Sequence, residues 1–114
     1  MDTGLRNYLL GYRDVDTGHI IENIVYFELL RRGFDVAVGK VGDKEIDFIA
    51  TKDDQKIYYQ VTDDFTSEST RERELAPLMV VRDNYEKVVL VMNTNSTASI
   101  EGIKIVRLID FLLE

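Results

Sequence analysis

The spacing of apolar and polar positions divides most of the chain into eight elements. Apolar residues recur at helical spacing from Ile20 to Leu30, with Asp16 or Thr17 as a cap before them and Gly33 as a stop, which predicts a first helix. Because apolar residues occupy most of its circumference, we expect this helix to be central and mostly buried.

Three strands should follow the first helix. The segments 34–38, 44–50 and 56–62 are rich in β-branched and aromatic residues and are separated by turn residues. If Asp53 and Asp54 are the two central residues of the second turn, the numbers of opposed residues sum to 107. This register predicts an apolar side that includes Ile46, facing Val61, and a polar side on which Asp47 faces Gln60.

A second helix, two strands and a short helix complete the pattern. Thr66, Ser67 or Ser69 can cap the second helix, and Ser69 with Glu72 resembles a capping box. Pro77 falls inside this helix and predicts a kink or a restart. Strands are expected over 87–93 and 103–106, and Asp110 is the expected cap of the last helix. The order α-β-β-β-α-β-β-α predicts a mixed α/β sheet flanked by helices.

Composition narrows the functional classes. The 114 residues contain no cysteine and one histidine, which excludes disulfide scaffolds, thiolate metal sites and cysteine nucleophiles. A reducing, cytoplasmic setting fits this composition, and no apolar run reaches the ~20 residues of a membrane helix. The net charge is −7, and residues 43–74 hold ten acids against five bases. Tight autonomous binding to nucleic acid normally requires the opposite sign.

The pattern predicts a connecting segment and one domain. Residues 1–15 carry apolar side chains without a helix long enough to use them, which indicates a segment that follows a preceding domain. Residues 16–114 form the expected compact domain.

Polar residues that could converge lie on three of these elements. Glu22 on the first helix, Asp47 on one strand and Gln60 on the next offer oxygen ligands of the kind that Mg²⁺ or Mn²⁺ binds. A simpler interpretation treats Asp47 and Gln60 as a polar pair on a half-exposed hairpin. Glu22 is equally well explained as an acid in the first turn of a helix, favoured there by the helix dipole.

Several short motifs resemble a known nuclease family. An early helix with Glu22, the run Glu45–Ile49 and the run Tyr59–Thr62 resemble the three motifs of the PD-(D/E)XK, or restriction endonuclease-like, core in the right order. More specifically, five runs along the chain resemble the C-terminal domain of AAA+-superfamily ATPases of uncharacterised role from bacteria and archaea. These runs are Asp2–Arg6, Gly18–Val25, Glu28–Gly33, Thr70–Leu78 and Asp83–Lys87.

The resemblance implies a restriction endonuclease-like fold and a site built from Glu22, Asp47, Gln60 and Thr62. Gln60 and Thr62 stand where the nuclease pattern has an acid and a lysine, so the implied site is catalytically degenerate. In the register above, Lys44 faces the apolar side and Lys56 lies at the far end of the polar side, so neither replaces the lysine.

Two arginines at the start of the second helix have two interpretations. Arg71 and Arg73 can approach a nucleic-acid phosphate, or they can pair with Glu68, Glu72 or Glu74 on the surface.

Three functions remain open at this point. The first is a non-catalytic, nuclease-like module that recognises a partner or a nucleic-acid structure for an ATPase. The second is a divalent-metal-dependent DNA nuclease, and the third is an oligomerisation or autoinhibitory domain. The chain has no Gly-rich loop ending in Gly-Lys-Ser/Thr, so the ATPase reading implies an N-terminal ATPase domain of a longer protein.

Overall fold

A computed structural model describes residues 15–114, with side chains from His19 onward. The predicted connecting segment 1–15 therefore lies, except for Val15, outside the described residues. So does the Asp2–Arg6 run that contributed to the resemblance.

The predicted order of elements is confirmed. The elements are α1 (Val15–Arg31), β1 (Asp35–Val41), β2 (Lys44–Lys52), β3 (Gln55–Asp64), α2 (Glu68–Met79), β4 (Glu86–Asn93), β5 (Lys104–Arg107) and α3 (Leu108–Leu113). The fold is a mixed α/β sheet with helices on its faces.

The five strands form one sheet in the order β1-β2-β3-β4-β5. The first three strands are antiparallel neighbours, whereas β4 runs parallel to β3 and β5 parallel to β4. Each face carries its own apolar cluster. One cluster joins α1 and α3 to the sheet around Val25 and Leu29, and the other joins α2 to the opposite face around Leu75 and Leu78.

Helix α1 ends as expected but is less buried than expected. Gly33 adopts φ 91°, a left-handed conformation that suits glycine, and the amides of Gly33 and Phe34 donate to the carbonyls of Leu30 and Leu29. The prediction of a mostly buried helix is wrong, because Phe27 is 65% exposed and its neighbours are partly so. Only one side of the helix packs on the sheet among the described residues, so its other apolar positions face outward.

One of the three predicted caps of α2 is confirmed, whereas the cap of α3 differs from the prediction. Ser67 is the N-cap of α2 and accepts from the amide of Thr70, so the Ser69 capping box does not form. Pro77 is in the last turn, where it removes only the helix bond to the Arg73 carbonyl, and α2 continues to Met79. Arg107, not Asp110, holds the N-cap position of α3, and Asp110 lies in its first turn.

A β-bulge in β2 changes the predicted hairpin. The pairing of Phe48 with Tyr59 confirms the predicted register, in which the numbers of opposed residues sum to 107. The same register continues to the pair Lys52–Gln55 beside the turn. Between β1 and β2, however, the two steps from Ala37 to Gly39 are matched by three steps along β2, from Ile49 to Ile46. Strand β2 therefore carries one extra residue at this point. The extra residue reverses the alternation of side chains. Ile46 consequently packs in the α2 cluster rather than beside Phe48, which corrects the predicted apolar side.

Within residues 15–114, no helix has both the length and the apolar character needed to cross a membrane.

The bulge generates a prediction about Gly39. A Cβ added there would lie 2.5 Å from Cδ1 of Ile49 and 3.1 Å from Cβ of Ile46. Rotation of Ile49 relieves the first clash but not the second, so we expect Gly39→Ala to lower the free energy of unfolding by about 1–3 kcal/mol. Urea denaturation measures this loss.

The exposed neighbour Val38 supplies the control. Val38→Ala should change the free energy of unfolding by less than about 0.5 kcal/mol. Equal effects of the two substitutions would contradict the close packing of Gly39 against the bulge.

Candidate functional site

The candidate site lies where β2 and β3 lose their backbone ladder. Backbone pairing ends at Phe48 and Tyr59, and beyond that pair side chains connect the strands. The amide of Asp47 donates to Oε1 of Gln60 over 2.8 Å, and the amide of Val61 donates to Oδ2 of Asp47 over 2.9 Å. Asp47 and Gln60 therefore meet across the hairpin as predicted, but through side chains rather than as a backbone pair.

The Gln60 amide also reaches helix α2. Its Nε2 donates to the backbone carbonyl of Glu74 over 3.1 Å, and the residue is only 4% exposed. One buried amide thus joins β2, β3 and α2. Both kinds of polar atom in this side chain have partners, which a buried amide requires.

Glu74 is a site residue that the sequence analysis missed. Burial, together with the charges of Asp47 and Glu22, raises the pKa of its carboxyl from 4.5 to about 7, although Arg73 lowers it in part. A weak signal was available, since Glu74 lies one turn before Leu78 on the face of α2 that becomes buried.

Glu22 approaches the same region from the other face of the sheet. Its side chain is half-buried, and burial and then the charge of Asp47 raise the pKa of its carboxyl, while His19 lowers it. Burial also raises the pKa of Asp47, despite the stabilising hydrogen bond from Val61. Glu22, Asp47 and Glu74 therefore interact electrostatically around the open end of the β2–β3 ladder.

A cleft of about 330 Å³ opens beside these residues on the α2 face. We call it the Asp47 cleft; it is lined by Lys44, Glu45, Asp47, Gln60, Arg73, Glu74, Ala76 and Pro77. The expectation that Lys44 faces the apolar side is wrong, because the bulge reverses the alternation between Lys44 and Phe48. Glu22 does not line the cleft.

The other predicted site residues are placed differently. Thr62 is buried and its hydroxyl donates to the carbonyl of Asp64 over 3.4 Å, without lining the cleft. Arg71 donates to the carbonyls of Phe65 and Thr66, so its guanidinium braces the loop before α2. Arg73 does line the cleft, 3.7 Å from the carboxylate of Glu74.

Two of the three predicted metal ligands have hydrogen-bond partners within the protein. No three His, Asp or Glu side chains in residues 15–114 are grouped closely enough to hold an ion. Gln60 uses its side-chain oxygen for the Asp47 amide, and Asp47 uses one carboxylate oxygen for Val61. Two oxygens of the predicted set Glu22, Asp47 and Gln60 are therefore already engaged within the protein, and binding of Mg²⁺ or Mn²⁺ by this set stays a prediction.

Comparison with known proteins gives one close relative and no family assignment. No family model matches the chain. Over all of its 114 residues, the chain is 40% identical to an uncharacterised protein of Haemophilus influenzae strain Rd. The chain spans 28% of the length of that relative.

The raised carboxyl pKa values predict how stability depends on pH. Since Glu74 holds its proton up to about pH 7 in the folded chain and to about 4.5 when unfolded, the folded chain binds more protons between these values. The free energy of unfolding should therefore fall as the pH rises through this window and level off above it, and Glu22 and Asp47 act in the same direction. Urea denaturation across the window measures the effect.

Glu74→Gln removes the main titrating group and should flatten the dependence of the free energy of unfolding on pH. The variant should therefore be more stable than the parent at alkaline pH. Glu72→Gln, an exposed change on the same helix, should leave the profile as it is. A parent whose stability rises between pH 4.5 and 7 would contradict the assignment.

The amide of Gln60 is open to a direct test. Gln60→Glu removes the donor to the Glu74 carbonyl and adds a carboxylate beside three others. We expect a loss of about 2–3 kcal/mol in the free energy of unfolding at neutral pH, and a smaller loss in acid. Gln55→Glu, an exposed change on the same strand, is the matched control and should have little effect. Equal losses at both pH values would show that charge is not the cause.

Proposed function

We propose that this chain is a catalytically degenerate, nuclease-like module that recognises a partner for a larger, ATPase-containing protein. The observation that carries the proposal is the buried Gln60 amide, which bonds to Asp47 and to the Glu74 carbonyl. In the nuclease pattern that the sequence resembles, an anionic ligand occupies this position. Here the side chain holds three elements together instead.

The chemistry of position 62 supports the same conclusion. The nuclease pattern has a lysine there, which stabilises the charge that develops on phosphate. Thr62 has no charge, and its buried hydroxyl bonds to its own strand. Loss of one such electrostatic group commonly reduces the rate by ~10²–10³-fold.

The charge of the Asp47 cleft favours a protein partner over nucleic acid. Glu45 and Asp47 line the cleft together with Glu74, whose carboxyl has a pKa of about 7, and two cations, Lys44 and Arg73, lie beside them. The chain as a whole has a net charge of −7. The net charge of the chain would repel a phosphate backbone, and the cleft has no excess of cations to offset that repulsion.

The relative from H. influenzae supports the idea of a module within a longer protein, since this chain matches 28% of its length. The ATPase part of the proposal comes from the sequence resemblance. In this account the ATP-binding residues belong to a preceding domain.

A specific observation favours one alternative, a divalent-metal-dependent nuclease. The bulge brings Lys44 into the cleft with Asp47 and Glu74, so one cation and two carboxylates share a single opening. A Mg²⁺ ion needs as few as one or two carboxylates when water and phosphate oxygens complete its shell. Glu74 would then supply the carboxylate that is absent at position 60, and Lys44 would supply the cation that is absent at position 62.

Cleavage assays distinguish the two functions. The parent chain and its Asp47→Ala and Lys44→Ala variants are incubated with single-stranded, duplex and branched DNA and with millimolar Mg²⁺ or Mn²⁺. The degenerate module predicts no metal-dependent product above the level of the variants. Cleavage by the parent that disappears in both variants would overturn the proposal and establish the nuclease.

A further inference from the structure

Strand β1 forms a free edge of the sheet. It stands first in the order of strands, and β2 is its only paired neighbour among the described residues. Every second residue of such a strand turns its backbone N–H and C=O groups away from the sheet, where another strand can pair with them. No residue of β1 lines the Asp47 cleft, so the proposed function does not use this edge.

The edge has little of the protection that edge strands usually carry. Its seven residues, Asp35–Val41, include one lysine and no proline, and the bulge lies in β2 rather than in β1. The centre of the strand, 36–39, has no charged residue, and Val38 is 70% exposed. The opposite edge, β5, is four residues long and has a basic residue at each end. Strand β1 is therefore the better template for pairing with another chain.

Val38 lies on the α1 side of the sheet. Val36 packs against the apolar cluster beneath α1, and side chains two residues apart on a strand point to the same face. Phe48, a member of that cluster, lies at the bulge opposite the segment that contains Val38. Val38 thus extends the α1 cluster outward to the edge of the sheet.

Helix α1 continues this apolar surface. The ring of Phe48 stacks on Tyr26 with centroids 6.1 Å apart, and Tyr26 meets Phe27 edge to face at 5.5 Å. Leu30 follows Tyr26 by one helical turn on the same side of the helix. We call the exposed side chains of Tyr26, Phe27, Leu30 and Val38 the β1-edge patch. Free backbone groups and an apolar patch therefore lie side by side.

The charges of β1 suit antiparallel pairing with a second copy of the chain. Asp35 begins the strand and Lys40 lies near its other end, and both are exposed. If two copies pair antiparallel about the centre of the strand, the Asp35 end of each copy lies beside the Lys40 end of the other. Parallel pairing in register would bring like charges together, which is unfavourable.

We propose that this chain forms a symmetric dimer in which the β1 strands of two copies pair antiparallel. The two-fold axis of such a pair runs through the sheet, so both β1-edge patches lie on the same face and pack together across the seam. The two five-stranded sheets become one continuous sheet.

The size of this contact indicates a weak dimer. An edge of seven residues with four apolar side chains buries on the order of 500 Å² per copy, against about 800 Å² per partner in a standard stable interface. We expect a dissociation constant of about 10–500 μM.

The test is analytical ultracentrifugation of the 114-residue chain from about 10 μM to about 1 mM, a range that brackets this constant. The chain should show a reversible monomer–dimer equilibrium. In NMR spectra over the same range, amide signals of residues 36–40 should shift with concentration, and those of Lys104–Arg107 on the other edge should not.

Variants identify the surface. Val38→Lys should weaken the dimer at least about tenfold, because it places a cation from each copy at the centre of the seam. Ile109→Lys is the matched control: it changes an exposed apolar side chain on α3 and should leave the dissociation constant unchanged. The amide spectrum of each variant reports its fold. If Val38→Lys does not fold, Phe27→Lys on α1 tests the same patch and should weaken the dimer about threefold.

Three results would overturn the proposal. The first is a chain that stays monomeric to about 1 mM, which is also the result expected if the edge serves a strand of a different protein. The second is dimerisation with shifts at β5 instead of β1. The third is dimerisation of the folded Val38→Lys variant with the affinity of the parent.

Discussion

The constraint on which the site depends is the early end of the ladder between β2 and β3. Strand β3 stays paired with β4 as far as Asp64, whereas its pairing with β2 ends at the Phe48–Tyr59 pair and does not include the first residues of β2. The backbone groups released there still need hydrogen-bond partners, because they are partly buried. Asp47 and Gln60 supply those partners, and the contact of Gln60 with α2 fixes the helix at the same point.

This use of side chains limits what the site can do chemically. Because the Gln60 amide already joins three elements, a metal ion at its oxygen would compete with the hydrogen bond from the Asp47 amide. The surrounding carboxyls are held in a partly desolvated group, which raises the pKa values of Glu22, Asp47 and Glu74 together. The hydrogen bonds of Gln60 hold β2, β3 and α2 together at this site, whereas the ionisation of the neighbouring carboxyls opposes folding.

Much of the architecture could be predicted because local signals agreed with the tertiary structure. The apolar spacing, the glycine after α1 and the Asp53–Asp54 turn led to the right element order and to the right register near the turn. The bulge could not be predicted, since strict alternation assumes an unbroken ladder. It moved Ile46 and Lys44 to the other face, and so concealed a cation of the cleft. Glu74 was missed because only tertiary packing of α2 brings it beside Asp47. The exposed Phe27 shows the converse, because an apolar pattern does not reveal which side of a helix is covered.

The central claim is that Gln60 is a structural tie and not a metal ligand. NMR observation of the Gln60 side-chain amide during addition of Mg²⁺ tests it most directly. The predicted result is that the NH₂ protons of Gln60 exchange slowly with solvent. Addition of Mg²⁺ should shift neither these signals nor that of the Asp47 amide. Rapid exchange, or a saturable shift of both signals with Mg²⁺, would contradict it.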